Sequence, residues 1–362
     1  MSKNMPVEKK TPLRLIGKII ARILASLLSL FLLVVIALLA VMWVLAKGPS
    51  PTAQRLFVMS VKETSAIGFL ANIFLSNAEI DRIMMASEPE KEFYDTDTSL
   101  ISIPKAKPAQ PGGSVGGGEN IGAGDSTESL PDETVEEKEL ELIEITGNGY
   151  SGYMLIVRDP KRIFVGTPTS YGGMGVTLMG MIERTGAVAG INAGGFYDPN
   201  GTSYGGEPDG IVICDGVLKW GAGKGYVNVI GFDGEGILHV GTMTPTAAMN
   251  LGLQYAVSFG PSLISNGVSL SNVIGPSGIN PRTAIGQRAD GAVLMLVIDG
   301  RQIHSLGATF EDLIEIFLDY GAVNAANLDG GSSTLMMLDG EIINSCASIV
   351  GPRLIPTAFL VK

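Results

Sequence analysis

Histidine, cysteine and aromatic residues are all scarce in this chain of 362 residues, which has two His, two Cys and 6% Phe, Trp and Tyr. Two histidines, His239 and His304, cannot build a histidine-rich metal site, and two cysteines exclude a disulfide scaffold and any multi-cysteine zinc or iron–sulfur module. No Gly-x-Ser-x-Gly elbow, Walker loop or dinucleotide fingerprint stands in a convincing context. Basic charge is short as well. Against 36 Asp and Glu there are 25 Lys and Arg, a net charge of -11, which leaves no long basic surface for a nucleic acid. What the chain does have is glycine, 48 residues of it, in a composition that is 46% apolar and able to build a core.

The first fifty residues exclude a wholly cytosolic protein. Ile23 to Ala46 carry no charged side chain, and a helix of that length reaches about 36 Å, enough to cross a roughly 30 Å hydrocarbon core. Lys3, Lys9, Lys10, Arg14, Lys18 and Arg22 precede it against a single Glu8. The positive-inside rule therefore keeps residues 1–22 in the cytoplasm and sends the remainder outward, as a single-pass protein of the cell membrane. Val44-Leu45-Ala46 resembles a cleavage site, so a signal peptide is the competing reading. The apolar run is longer than an ordinary signal core, which favours an uncleaved anchor over 23–46.

Beyond the span the chain changes character twice. In residues 47–87, Ser50-Pro51 reads as an N-cap followed by Pro at the first helical position, and Ser76 with Glu79 as a capping box; together they predict a membrane-proximal helical stalk. Residues 88–144 turn to Pro, Gly, Ser and Glu, a composition that buries no core and reads as a flexible acidic tether. The remaining residues, 145–362, have the size and apolar content of one domain. Asp-Gly pairs at 209, 215, 233, 290, 299, 329 and 339 punctuate short apolar runs, the pattern of antiparallel hairpins. Two helices interrupt them, one from about Thr177 to Gly186, the other capped by Thr309 with Asp312, carrying Phe310, Leu313, Ile314 and Phe317 on one face and stopped by Gly321. The expected fold is α+β, a mainly antiparallel core with a few flanking helices.

These helices lead into an internal echo. Gly186 to Gly195 aligns without gaps against Gly321 to Gly330, each reading as a Gly stop, a buried small-residue strand, then Asn and a glycine turn. Two related helix–strand units are expected to bring Asn192 and Asn327 to equivalent strand ends facing one cleft. Asp329-Gly330-Gly331-Ser332-Ser333 follows the second strand, where glycine lets main-chain N–H groups approach a ligand and Asp329 offers an acceptor or a proton-transfer group. Arg282, where a loop enters a strand, can clamp a phosphate or carboxylate. Glu207 and Asp209 add carboxylates beside a strand start, and paired carboxylates suit glycoside hydrolysis, although spacing leaves open which pair acts.

Five ordered segments carry a resemblance: Ile191-Asn192-Ala193-Gly194-Gly195-Phe196, Gly260-Pro261, Asn280-Pro281-Arg282-Thr283-Ala284-Ile285-Gly286, Val297-Ile298-Asp299-Gly300-Arg301 and Ala326-Asn327-Leu328-Asp329-Gly330-Gly331-Ser332-Ser333. Over about residues 145–362 the chain resembles the phosphodiester glycosidase family. The resemblance implies hydrolysis of a sugar-1-phosphodiester of the GlcNAc-1-phosphate type, with Arg282 and Asp329 on the matching motif positions; together with the residue reading, Asp329, Arg282 and Glu207 are the expected catalytic residues. Substrate binding is expected of Asn192, Gly194, Gly195, Asp209, Thr283, Asp299, Asn327, Gly330, Gly331 and Ser332. An envelope or exopolysaccharide glycan is the expected partner, and a non-catalytic polymer binder is the alternative. No cofactor is expected, a divalent ion held by Asp side chains stays open, and so does pairing of Cys214 with Cys346.

Overall fold

The computed structural model describes residues 12–62, 64, 67–85, 95–104, 138–348 and 350–362. Among them are seven helices and three sheets: α1 (Pro12–Lys47), α2 (Pro51–Lys62), α3 (Leu70–Phe74), α4 (Asn77–Met85), α5 (Leu178–Thr185), α6 (Pro245–Asn250) and α7 (Phe310–Asp319). α1 is long and apolar enough to cross a membrane, and its most apolar 18-residue stretch is nowhere buried in the protein. The stalk caps form from the expected residues. Ser50 Oγ accepts the amide of Ala53, and the Ser76 and Glu79 side chains each accept the other's backbone amide. α2, α3 and α4 then fold against the end of α1, burying Ala46, Phe57, Val58, Val61, Ala71, Leu75 and Ile80 together.

Every strand pairing in the C-terminal domain is antiparallel. A seven-stranded sheet runs in the order Leu140–Gly147, Tyr150–Val157, Val293–Ile298, Arg282–Arg288, Ala322–Leu328, Ser262–Ser265 and Val268–Ser269. A second sheet orders Glu341–Ile342, Met336–Leu338, Ala189–Asn192, Ala358–Val361 and Ile163–Gly166; a third orders Val217–Trp220, Val212–Cys214, Tyr255–Val257, Val227–Phe232 and Leu238–Met243. Side chains from all three share one core, among them Leu155, Met295, Ile191, Phe359, Val212 and Phe232. The seven-stranded sheet is covered on its other face by α7, where Leu313 and Phe317 pack with Ala284, Leu294 and Leu296. With both faces covered, Val293–Ile298 reads as an unbroken apolar run and not an alternating one. The Asp-Gly hairpins adopt the backbone their residues favour: Asp215 and Gly216, like Asp339 and Gly340, all have positive φ.

Two boundaries differ from the composition-based reading. The first strand begins at Leu140, inside the expected tether. Residues 95–104 also lie on the domain: Asn266 bonds both the Asp95 carbonyl and the Asp97 amide, and the Ser102 amide donates to the Ala289 carbonyl. Isolated apolar residues in a polar stretch explain the miss, since Ile101 is buried and Ile103 fits against Gly291, where a Cβ would stand 2.9 Å from its Cγ1. Residues 105–137 of the tether and residues 1–11 lie outside the described residues. Cys214 and Cys346 are both free thiols, and burial raises the Cys214 pKa to about 11.

Candidate active site

Strand register makes the site. Thr283 pairs with Leu328 and Ala284 with Asn327, so the start of Arg282–Arg288 lies beside the end of Ala322–Leu328 and brings Arg282 and Asp329 to one place. The end of Ala189–Asn192 meets them there. The Asp329 amide donates to the Ala193 carbonyl at 2.9 Å, and Asn192 Nδ2 donates to the Asp329 carbonyl. The two echoed strand ends therefore touch, each following its own helix and Gly stop.

A cleft of about 700 Å³ opens here, lined by Arg282, Asn327, Asp329, Gly330, Gly331 and Ser332 from the expected set. It is also lined by Asp198, Arg301 and Arg353, and by Phe196, Phe259 and Phe310. Asp329 Oδ2 and Asn327 Oδ1 are buried without a hydrogen-bond partner among the described residues, the condition of groups whose partner is a ligand or solvent. Burial raises the Asp329 pKa to about 7; Ser333 and the Arg353 charge pull it down, while Asp209 and Asp198 push it up. Asp198 differs. Burial raises its pKa too, but the Arg353 hydrogen bond, the Ser203 amide and the Arg353 charge outweigh that, leaving it below the ordinary range. Two carboxyls in one cleft are thus driven apart, one exchanging its proton near neutrality and one staying ionised.

Three guanidiniums share the cleft. Arg353 Nη1 reaches Asp198 Oδ2 at 2.6 Å and Ser332 Oγ at 3.4 Å, and its Cζ lies 5.0 Å over the Phe196 ring. Arg301 Nη2 donates to Thr64 Oγ1 (2.7 Å) and Asn280 Oδ1 (3.1 Å). Arg282, 6% exposed, spends part of its fork inside the protein. Nε donates to the Ala308 carbonyl and Nη2 to the Gly278 carbonyl, with Phe310 4.5 Å beneath. It is a brace for the cleft wall as well as a charge within it.

The other expected site residues do not line the cleft. Asn192, buried, accepts from the Thr283 hydroxyl and the Leu335 amide, so it and Thr283 tie strands together. Gly194 and Gly195 donate their amides to Thr357 Oγ1 and the Ser258 carbonyl, and a Cβ at Gly195 would collide with the Phe259 ring. Asp299 accepts from Asn344 Nδ2 and the Ser345 amide, fixing the chain that leads toward Ala347 and Ser348 of the cleft. Glu207 is exposed, and Asp198 is the additional carboxylate present in the cleft. Asp209 is exposed too, with Oδ2 tucked beside Gly195, and local desolvation raises its pKa. The Gly331 amide is occupied by the Pro281 carbonyl; here glycine permits a φ of +61° and close approach to Arg301. Sequence reasoning missed Asp198, which reads as a turn residue before Pro199, and Arg353, which stands 155 residues away from it.

Comparison with known proteins agrees with this architecture. Residues 185–362 match the family described as phosphodiester glycosidase. The chain is 29% identical over 209 residues to the SPbeta prophage-derived protein YomE of Bacillus subtilis (strain 168), covering 55% of this chain and 31% of that protein. It is 25% identical over 223 residues to mouse N-acetylglucosamine-1-phosphodiester alpha-N-acetylglucosaminidase, covering 54% of this chain and 41% of the enzyme. The chain thus spans less than half the length of either relative. The catalytic domain of the zebrafish enzyme of the same name, auto-inhibited by its pro-peptide, shares the fold at a TM-score of 0.53 and 21% identity, over 63% of this chain and 85% of that one. Over residues 185–362 of its C-terminal domain, the chain matches the phosphodiester glycosidase family.

Proposed function

We propose that the C-terminal domain is an extracytoplasmic hydrolase that releases a sugar from a sugar-1-phosphodiester. The family match over residues 185–362 supports hydrolysis of phosphodiester-linked sugars. The observation that carries the reading to this cleft is its charge: in a chain of net charge -11, three arginines converge around two aspartates, one of them with a pKa of about 7. Guanidinium groups suit a phosphodiester because they meet its oxygens with paired, charge-assisted hydrogen bonds.

In this mechanism Arg353, Arg301 and Arg282 hold the diester anion. Water attacks the anomeric carbon, the bond from that carbon to the bridging oxygen breaks, and a phosphomonoester departs with the bonding electrons. The leaving group is already stable as an anion, so charge stabilisation matters more than its protonation. Asp329 in its ionised form takes the proton from water. Asp198, held ionised by Arg353, faces the positive charge that develops on the sugar ring. Asn327 and Ser332 supply polar atoms for sugar hydroxyls.

The test is hydrolysis of a GlcNAc-1-phosphodiester in ¹⁸O-labelled water by the full chain. Label is expected in the released sugar and none in the phosphomonoester, with kcat/KM rising through about pH 7 as Asp329 ionises. Label in the phosphate would mean phosphodiester-bond chemistry. Retention of the diester without either product would make the domain a glycan-binding module.

A further inference from the structure

The C-terminal domain does not build the cleft alone. Thr64 and Ile67, just beyond α2, line it alongside Arg301 and Asn280. Thr64 is 8% exposed; its hydroxyl accepts from Arg301 Nη2 at 2.7 Å and lies 3.4 Å from Asn280 Oδ1. One turn earlier, Ser60 Oγ accepts the Ile279 amide at 2.9 Å. The fit is close enough that a Cβ on Gly278 would stand 2.4 Å from the Ser60 nitrogen. α2 in turn packs on the last residues of the apolar helix, with Met42, Leu45 and Ala46 against Phe57, Val58 and Val61. Packed side chains therefore run without interruption from the end of α1 to the wall of the cleft. α2 is about 18 Å long at its helical rise, which holds that wall close to the point where α1 ends. The cleft also carries apolar groups in water: Ile67 is 38% and Val350 95% exposed. A charged floor with an apolar rim matches an amphiphile.

We infer that the substrate is a membrane-borne sugar phosphodiester, whose sugar and phosphate enter the cleft while its lipid alcohol stays in the bilayer that anchors α1. This rests on the hydrolase reading above and on α1 as a retained anchor. Water adds to the anomeric carbon, the sugar leaves as the free hemiacetal, and the lipid phosphomonoester remains in the membrane. Thr64 is a positioning residue that sets Arg301, and Ile67 and Val350 meet the first part of the lipid chain.

The full chain in phosphatidylcholine vesicles is offered two diesters of GlcNAc-1-phosphate, one of a long polyisoprenol and one of methanol. Confinement of enzyme and lipid diester to one surface should raise kcat/KM for the lipid diester by about 100-fold over the methyl diester. Equal turnover of the two overturns the inference and leaves the glycosidase reading intact, whereas turnover of neither removes both. A second version carries about twenty Gly and Ser residues inserted between Gly48 and Pro49 together with Ala46→Glu, which breaks the packing of α1 on α2 and lets the cleft drift from the bilayer. It should lose the preference while still hydrolysing the methyl diester. An undiminished preference would overturn the inference, as would crosslinking that finds Ile67 and Val350 covered by a second copy of the chain.

Discussion

Burial that raises the Asp329 pKa also suits the group to proton transfer near neutrality. Its ordinary pKa of 3.8 applies to the unfolded chain, and about 7 to the folded one. Between those values the folded state holds a proton that the unfolded state releases, so its contribution to stability is complete below about pH 4 and is lost as the pH rises toward about 7. Asp329→Asn should therefore unfold together with the parent at about pH 4 and be the more stable protein above neutrality, by on the order of a few kcal/mol. Its turnover should fall by about 10²- to 10⁴-fold. Denaturant melts at the two pH values, paired with rate measurements, check both halves. A parent whose stability did not decline across this window would contradict the raised pKa. Arg282 yields a different expectation because it holds two backbone carbonyls. Arg282→Ala should cost about 3 kcal/mol of stability in addition to its kinetic effect, and Arg282→Lys should rescue little, since one ammonium cannot reproduce the fork. Thermal unfolding of both variants separates brace from ligand.

At the level of helices and strands, the legible parts were the local ones. The capping box of α7 is complete, with Thr309 Oγ1 accepting the Asp312 amide and Asp312 accepting the Thr309 amide, and both groups lie within four residues of one another. Hairpin turns, Gly stops and the Asp329 loop were readable for the same reason. What could not be read was which side chains of a motif face the cleft. Asn192, Thr283 and Asp299 sit in segments that carry the family resemblance, yet their polar atoms join strands and loops. That choice depends on pairing between distant segments, as does the meeting of Asp198 with Arg353. The cap itself offers a test of how the fold supports the site. Thr309→Ala should destabilise the domain by about 1 kcal/mol, and because Phe310 begins α7 under the Arg282 guanidinium, KM should rise while kcat changes little. A steady-state comparison at equal folded fraction reads this directly.

For the molecule as a whole, the fate of α1 decides what the cell receives. Cleavage after Ala46 would remove Met42, Leu45 and Ala46 from the cluster they form with α2, α3 and α4, exposing Phe57 and Val58. Loss of a packed apolar surface of this kind costs several kcal/mol in other cores, at roughly 2 to 5 per large side chain. The mature protein should accordingly retain its N-terminal helix and stay with the membrane after alkaline extraction; mass measurement of the purified chain is the check.

The anchored segment 95–104 changes what the acidic stretch after it can accomplish. Asp97 and Ser102 are bonded to the domain on one side of that stretch, and Glu139 and Leu140 enter the domain's first hairpin on the other. The described residues on either side of 105–137 thus belong to one body, so the length of that stretch does not set the distance from the domain to α1. Trimming that stretch cannot draw the domain inward. Each halving of the connection between the two fixed ends should instead stabilise the domain slightly, by about 0.6 kcal/mol of closure entropy, while its height above the lipid stays the same.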